Sequence, residues 1–461
     1  YCPKDSNYRP ARLLLKLGEP MLPPPFLDRE MTAADMKPQF QIEKSVRKRL
    51  FKTSAERVMR RCEALAAVSE SGDYIERTYL SDSHKRANAI VEGWIAEAKA
   101  EHWQDAVGNV WGRLPSQDAD SKTLILGSHL DTIVDAGKYD GILGVLMAVE
   151  LLHLLRSQSI ALPFNIDVVG FCDEEGVRFG ATLLGSYAIA DRWKDDWLDL
   201  TDVNGVSIAE AMTSFGLDST KVSDAAIPRE NLAGYLEVHI EQGPVLDRAN
   251  LPVGVVTAIA GARRFNFVIE GESGHAGTVP MEMRKDALVG ACLCVQEVEK
   301  AANLYDVVAT VGDINCHPGA VNVVPGNVQF SLDIRSARDK TRDAAFAWLT
   351  DRFDSILNSR DLAMSWQEIH KAPSVACSSK WQRTLEKSIA DCNLEVLSLP
   401  SGAGHDAMAM ENITPLGMLY VRCKDGISHH PAESIMVQDV EVAMEVLMTA
   451  IIDYALGTEE V

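Results

Sequence analysis

Residues 123–150 read TLILGSHLDTIVDAGKYDGILGVLMAVE, and this stretch decides the fold. The apolar run Leu124–Leu126 is too short for a helix and is closed by Gly127, so it reads as a buried strand. From Gly141 to Leu155 apolar residues recur at helical spacing. Between strand and helix stand His129, Asp131 and Asp140. They are metal-ligand types at the carboxyl end of a strand, the edge where open α/β sheets bind ligands. We read His129 and Asp140 as holders of divalent metal. Asp131 is expected to orient the His129 ring, because a ligating imidazole gives its second N–H to a carboxylate or carbonyl. The plainer alternative is a strand–loop–helix with ordinary loop acids.

Outward from this stretch, strand and helix alternate. Phe164–Gly176 (FNIDVVGFCDEEG) is a second buried strand running into acids, and Gly234–Asp247 (GYLEVHIEQGPVLD) holds a third, ending near His239. Ser207 and Glu210 stand at capping-box spacing before a short helix. Alternation of this kind predicts a mixed, mostly parallel sheet flanked by helices. The texture changes after Leu251. Strand-like runs there alternate polar and apolar, with helical stretches near 281–303 and 340–358, as in an α+β unit with a four-stranded antiparallel sheet. From about Trp366 the first texture returns. The expected division is a proline-rich arm over 1–42, a catalytic domain over 43–250 and 366–461, and an inserted lid or dimerisation domain over 251–365. Hinges are expected near 243–252 and 361–366.

Composition excludes some classes. The 461 residues are 46% hydrophobic and 24% charged, with a formal net charge of -21. That length suits two domains, and that charge opposes nucleic-acid or anionic-membrane binding. The nine cysteines contain no C-x-x-C pair, which suggests reduced thiols and a cytoplasmic setting. No apolar run has the length of a membrane span. The chain opens on Tyr1 without a secretory signal pattern, and the expectation is a processed or trimmed product.

Five further clusters follow strands or sit in glycine-bearing turns. In Asp173-Glu174-Glu175-Gly176, adjacent carboxylates on extended chain face opposite ways, so one can bind metal while the other stays free. We assign Glu175 as ligand and Glu174 as general base; an exposed acidic turn is the alternative. His239 lies on a strand, where a lone histidine is more often structural. His429 and His430 form a pair after a strand, of which one need bind. Gly274-His275-Ala276-Gly277 and Ser401-Gly402-Ala403-Gly404-His405-Asp406 let backbone approach a ligand closely, although each alone reads as a plain turn. His84, His102, His153, His317 and His370 fit no cluster and read as ordinary.

In order, GSHLDT, DAGKYDG, DEEGVRF, EVHIEQGPVLD, GHAGTVPMEMRKDA, NVVPG, DIR, SGAGHDAM and GISHHPAE resemble the M20 family of co-catalytic metallohydrolases. The likeness covers roughly residues 50–457. It is greatest to the branch of N-carbamoyl-amino-acid amidohydrolases, β-ureidopropionases and allantoate amidohydrolases. The resemblance implies two divalent ions, Mn²⁺ or Zn²⁺. One is held by His129, Asp140 and His239, and the other by Asp140, Glu175 and His429, with Asp140 bridging. It implies Glu174 as the base and His430 as a bystander. It implies a homodimer in which His275 reaches the partner's active site, and Asn322, Arg335, Gln242, Arg264, Gly404 and His405 around the substrate. Within the branch, DAGKYDG, IAGARRF and SGAGHDAMAM look most like allantoate amidohydrolases. The implied reaction is hydrolysis of allantoate to ureidoglycine, ammonia and carbon dioxide, in purine catabolism. An N-carbamoyl-L-amino-acid hydrolase or β-ureidopropionase with the same machinery is the alternative. Arg264 is the discriminator, because an apolar residue is expected there in carbamoylases of hydrophobic amino acids.

Overall fold

A computed structural model describes residues 44–457; the proline-rich arm lies outside them. The first sheet has nine strands. Its spatial order is Glu101–Gln104, Val110–Leu114, Asn165–Phe171, Thr123–His129, Leu232–Ile240, Leu416–Val421, Val253–Ile259 and Val375–Ala376, with Ser398–Ser401 also on Val253–Ile259. The four middle strands, from Asn165–Phe171 to Leu416–Val421, run parallel, while the flanking strands Val110–Leu114 and Val253–Ile259 run antiparallel to them. Thr123–His129 is buried throughout, as a central parallel strand covered on both faces must be.

Helix Ile142–Ser157 is nearly all buried, which explains an apolar pattern wider than one stripe. It packs against the middle strands and against helix Lys44–Ala66, which in turn meets the closing helix Val437–Gly457. The capping box at Ser207 and Glu210 is formed at helix Ile208–Phe215.

The second sheet is antiparallel: Ile314–His317, Asn327–Ser336, Gly261–Glu270 and Ala363–Ala372, with Val308–Thr310 also on Asn327–Ser336. The expected four strands are therefore five. Val308–Thr310 pairs with Asp333–Arg335 and Ile314–His317 with Asn327–Phe330, so two short strands follow one another along the same partner. One face buries Phe265, Phe267, Ile269, Phe330, Leu332 and Ile334 under helices Ala287–Tyr305 and Asp339–Asn358. Arg264, Asp333 and Arg335 fall outside that core, with Arg264 and Asp333 paired across the sheet.

Two expectations need correction. Val253–Ile259 belongs to the first sheet, pairing with Leu416–Val421, and Ala363–Ala372 belongs to the second. The chain thus crosses between sheets at Ala260 and again at Pro373–Ser374, not near 243–252 or 361–366. The two crossings touch: a Cβ on Gly261 would lie 2.4 Å from the Ser374 amide nitrogen.

Candidate metal centre and cleft

Each of the four parallel strands delivers ligand types at its carboxyl end. His129 closes Thr123–His129, and His239 is the penultimate residue of Leu232–Ile240. Glu174 and Glu175 follow Asn165–Phe171, and His429 follows Leu416–Val421. Asp140 sits before Gly141, the N-cap of helix Ile142–Ser157. Gly141 has φ 69°, and a Cβ there would lie 2.4 Å from the His129 ring, so only glycine lets Asp140 and His129 come this close. Gln242 and His429 also hold left-handed backbone, with φ of 58° and 54°, a geometry uncommon for residues other than glycine and concentrated at functional sites.

Asp140 is the centre. His239 Nε2 lies 3.1 Å and His129 Nε2 3.5 Å from Oδ1, and His429 Nε2 lies 3.1 Å from Oδ2. His429 Nε2 is also 3.3 Å from Glu175 Oε1. The sets His129–Asp140–His239 and Asp140–Glu175–His429 each bring their ligand atoms within 4.8 Å of one another. Further sets join His129 with Glu174 and Glu175, and Glu237 with His239 and His405.

The donors fit divalent cations. The Nδ1 atoms of His129 and His239 face the carbonyl oxygens of Asp131 at 3.0 Å and Ile240 at 2.9 Å. A neutral ring donating there presents its Nε2 lone pair to the centre. Asp140 Oδ1 is buried and accepts no hydrogen bond, despite the nearby ring nitrogens. The electrostatics ask for positive charge. Burial raises the Asp140 carboxyl, but His129, His239 and His429 outweigh it and hold the group well below the usual range. Contacts with Asp140 and then Glu175 push the His429 imidazole up to about 10. Burial opposes a charge on His129, yet Asp131 and Asp140 carry its imidazole well above the ordinary value. Binding of a cation at these imidazoles would release such protons.

Asp131 faces the His129 ring as expected, through its carbonyl. Its main-chain carbonyl, not its carboxylate, is the near partner of the His129 ring, with the carboxylate oxygen 3.6 Å away. The carboxylate instead accepts the amides of Glu174 and Glu175, each at 3.0 Å. It therefore sets the chain that aims both glutamates. Burial, with Glu175, Asp406 and Asp131 adding to it against His129, pushes the Glu174 carboxyl well above the usual range.

A cleft of about 590 Å³ opens onto the centre, within the range of small-molecule sites. It is lined by His129, Asp140, Glu174, Glu175, His239, Gln242 and His429, and also by Arg264, Arg335 and Gly404. Gln242 donates to Asp140 Oδ2 at 2.8 Å, and its own carbonyl oxygen is buried without a partner. Arg335 grips Asp333 with Nε and Nη2, at 2.8 and 3.0 Å, and gives Nη1 to the Gly402 carbonyl. Arg264 Nε shares that carboxylate at 2.9 Å.

Two expected substrate contacts, His405 and Asn322, lie outside this cleft, and so does His275, which was expected to serve the partner's site. His405 is buried behind His239, with ring centroids 4.5 Å apart, and its Nε2 meets Ser401 Oγ at 2.8 Å. Being enclosed, it contributes packing to the centre and does not line the cleft. His275, on Gly274–His275, and Asn322, just before its paired segment Val323–Val324, are exposed, and the Asn322 carbonyl accepts the Ala276 amide. Neither lines this cleft. The residue reading missed His370, Arg192 and Tyr187 in the cleft wall, and the buried Glu433 behind Asp140. Their signals are local and weak: a histidine on an edge strand, an arginine in a loop, a glutamate in a turn.

Residues 125–453 match peptidase family M20/M25/M40, and the chain belongs to that family. It is a hydrolase acting on C–N bonds. An allantoate deiminase of Arabidopsis thaliana is 39% identical over 417 residues, covering 83% of this chain and 79% of that protein. An N-carbamoyl-L-amino acid amidohydrolase of Geobacillus stearothermophilus is 35% identical over 83% of this chain and 94% of its own. A hydantoinase/carbamoylase-family amidase of Burkholderia multivorans superposes with TM-score 0.82 at 30% identity, covering 87% of this chain and 98% of that one. Among the described residues no helix is long and apolar enough to cross a membrane.

Proposed function

We propose that the chain hydrolyses the ureido group of allantoate, giving ureidoglycine, ammonia and carbon dioxide. The observation that carries this reading is one cleft bordered by two ligand sets sharing Asp140, the carboxyl of Glu174 and the guanidinium groups of Arg264 and Arg335. The 39% identity to an allantoate deiminase and the 35% identity to an N-carbamoyl-L-amino acid amidohydrolase support hydrolysis of a ureido group.

A ureido carbonyl is a poor electrophile. Two divalent cations, zinc or manganese by the mixed N/O donor set, would activate water and polarise that carbonyl. His129, Asp140 and His239 would hold one, and Asp140, Glu175 and His429 the other. Glu174 takes a proton from the attacking water and returns it to the leaving nitrogen. Arg335 presents a planar fork to the substrate carboxylate, which replaces Asp333 as its partner. Arg264 and Gln242 donate hydrogen bonds to the oxygen of the second ureido group, and Gly404 leaves room beside Glu174.

His275 is the oxyanion donor, supplied by the second subunit of a homodimer and contributing on the order of 3 kcal/mol. What supports this is its exposure beside Asn322, outside its own chain's cleft. The cysteines at eight described positions are free thiols, which supports a cytoplasmic setting.

One observation favours the second reading, an N-carbamoyl-L-amino-acid hydrolase or β-ureidopropionase. Arg264 is already engaged with Asp333, so it need not meet a second ureido group. The test is turnover of allantoate, N-carbamoyl-L-amino acids and β-ureidopropionate by protein reloaded with manganese or zinc. The expected result is the highest kcat/KM on allantoate, abolished by chelator. A higher value on either other substrate overturns the assignment in favour of the second reading.

A further inference from the structure

We propose that Glu433 is a positioning residue that couples the two halves of the metal centre, fixing Asp140 against the turn that carries His429. The inference rests on the two-ion reading above. Asp140 is shared by both ligand sets, so the directions of its two oxygens decide whether both sets exist. Asp140 lies on a loop, and its main chain needs an anchor.

Glu433 is that anchor. It is 3% exposed and does not line the cleft. Its Oε1 accepts the amides of Tyr139 at 2.8 Å and Asp140 at 3.2 Å. Its Oε2 accepts Ser428 Oγ at 3.0 Å. Ser428 precedes His429, and its hydroxyl also lies 3.1 Å from Asp140 Oδ2. A hydroxyl carries one hydrogen, so it serves one carboxylate at a time and links the two in either state. Gly137 completes the seat: a Cβ there would lie 2.3 Å from Glu433 Cδ and Oε1. The carboxylate fits because position 137 has no side chain.

The coupling is asymmetric. His129 and His239 are fixed at the ends of paired central strands. His429 stands on a half-exposed turn in left-handed backbone, and Glu433 ties that turn to Asp140 through Ser428. Loss of the clamp therefore weakens the Asp140–Glu175–His429 set far more than the other. Partners that orient ligands in this way typically set metal affinity by about 10–100-fold.

The experiment is a calorimetric titration of metal-free full-length protein with Mn²⁺ or Zn²⁺, joined to a metal count after dialysis. Wild type is expected to bind two ions per chain. Glu433→Ala and Gly137→Ala are expected to keep one ion at near wild-type affinity and to bind the second at least about tenfold more weakly. Glu433→Gln retains a carbonyl acceptor for both amides and should recover part of the loss. Ser428→Ala cuts the other end of the clamp and keeps the test alive if Glu433→Ala does not fold by circular dichroism. Folded variants that bind two ions with wild-type affinities overturn the coupling. A role in stability alone predicts that result, together with a lowered melting temperature of the metal-free protein. Wild type binding fewer than two ions overturns the two-ion reading itself, and the coupling with it.

Discussion

Away from the metal centre, where histidines hold Asp140 low, enclosed carboxylates of the first sheet and acids of the second meet opposite fates. Around the first, Asp105, Glu150, Asp167 and Asp406 are enclosed, and burial pushes each above the usual carboxylate range. Around the second, acids are held low by basic partners. Lys300 lowers Glu297, and arginines outweigh burial at Asp333 and Asp343. The first region tolerates its enclosed carboxylates because each has a local donor: Asn109 and Trp111 for Asp105, Arg57 for Glu150, Arg113 for Asp167 and Ser186 for Asp406. The second puts aromatic packing inside, with Phe265 stacked on Phe346 and Phe267 on Phe330. A functional site and a stable core are thus built from different materials in one chain.

The contrast can be broken from either side. Glu174→Gln should lower kcat by about 10²–10⁴-fold while metal content and melting temperature hold. A stability loss comparable to a core deletion would mean that Glu174 is structural. Phe267→Ala, in the other core, should cost about 3–5 kcal/mol, measured by denaturant unfolding. The ions bound per chain should be unchanged; loss of metal would show that the two regions are one energetic unit.

The third way uses pH. A carboxyl with a raised folded value binds more protons folded than unfolded, so stability falls as pH rises. For the first region that loss begins near the ordinary value of about 4 and is complete above the raised values. The acids of the second region lie lower when folded, and their contribution fades only as pH falls through those values. Metal-free protein should therefore melt at progressively lower temperature from about pH 5 to 8, with the slope lying in the first region. Hydrogen exchange localises the effect, and a slope confined to residues 261–372 would reverse the contrast. The smallest effect sits at the border. Arg264→Leu should raise KM for allantoate about tenfold relative to a simple N-carbamoyl amino acid, the discrimination of one lost hydrogen-bonding group being at least that large. Equal changes would remove Arg264 from substrate choice.

What could be read from residues alone follows from how local each signal is. The strands ending at His129 and His239 announce themselves through apolar runs closed by ligand types. Val253–Ile259 was also readable: it is almost wholly buried, an apolar run suited to a sheet covered on both faces. Gly261–Glu270 alternates instead. Taken together as one texture, they hide the passage from the first sheet to the second at Ala260. The enclosure of His405 could not be read, since a glycine-rich turn gives no sign of which side faces the cleft. The Glu433 clamp spans 294 positions to Tyr139, and no local pattern connects them. For Asp131, residue type was informative and atom was not, because its carbonyl and carboxylate serve different partners.

The touching crossings at Ala260 and Pro373–Ser374 have an engineering consequence. Departure and return of residues 261–372 fall at one spot, with the Ser374 amide nitrogen 2.4 Å from where a Gly261 side chain would begin. A short loop could bridge that gap, and the excised chain would still carry His129, Asp140, Glu174, Glu175, His239 and His429. It would lack Arg264 and Arg335. Grafting a relative's segment onto the same two points is thus a route to altered selectivity that leaves the ion-holding side chains untouched.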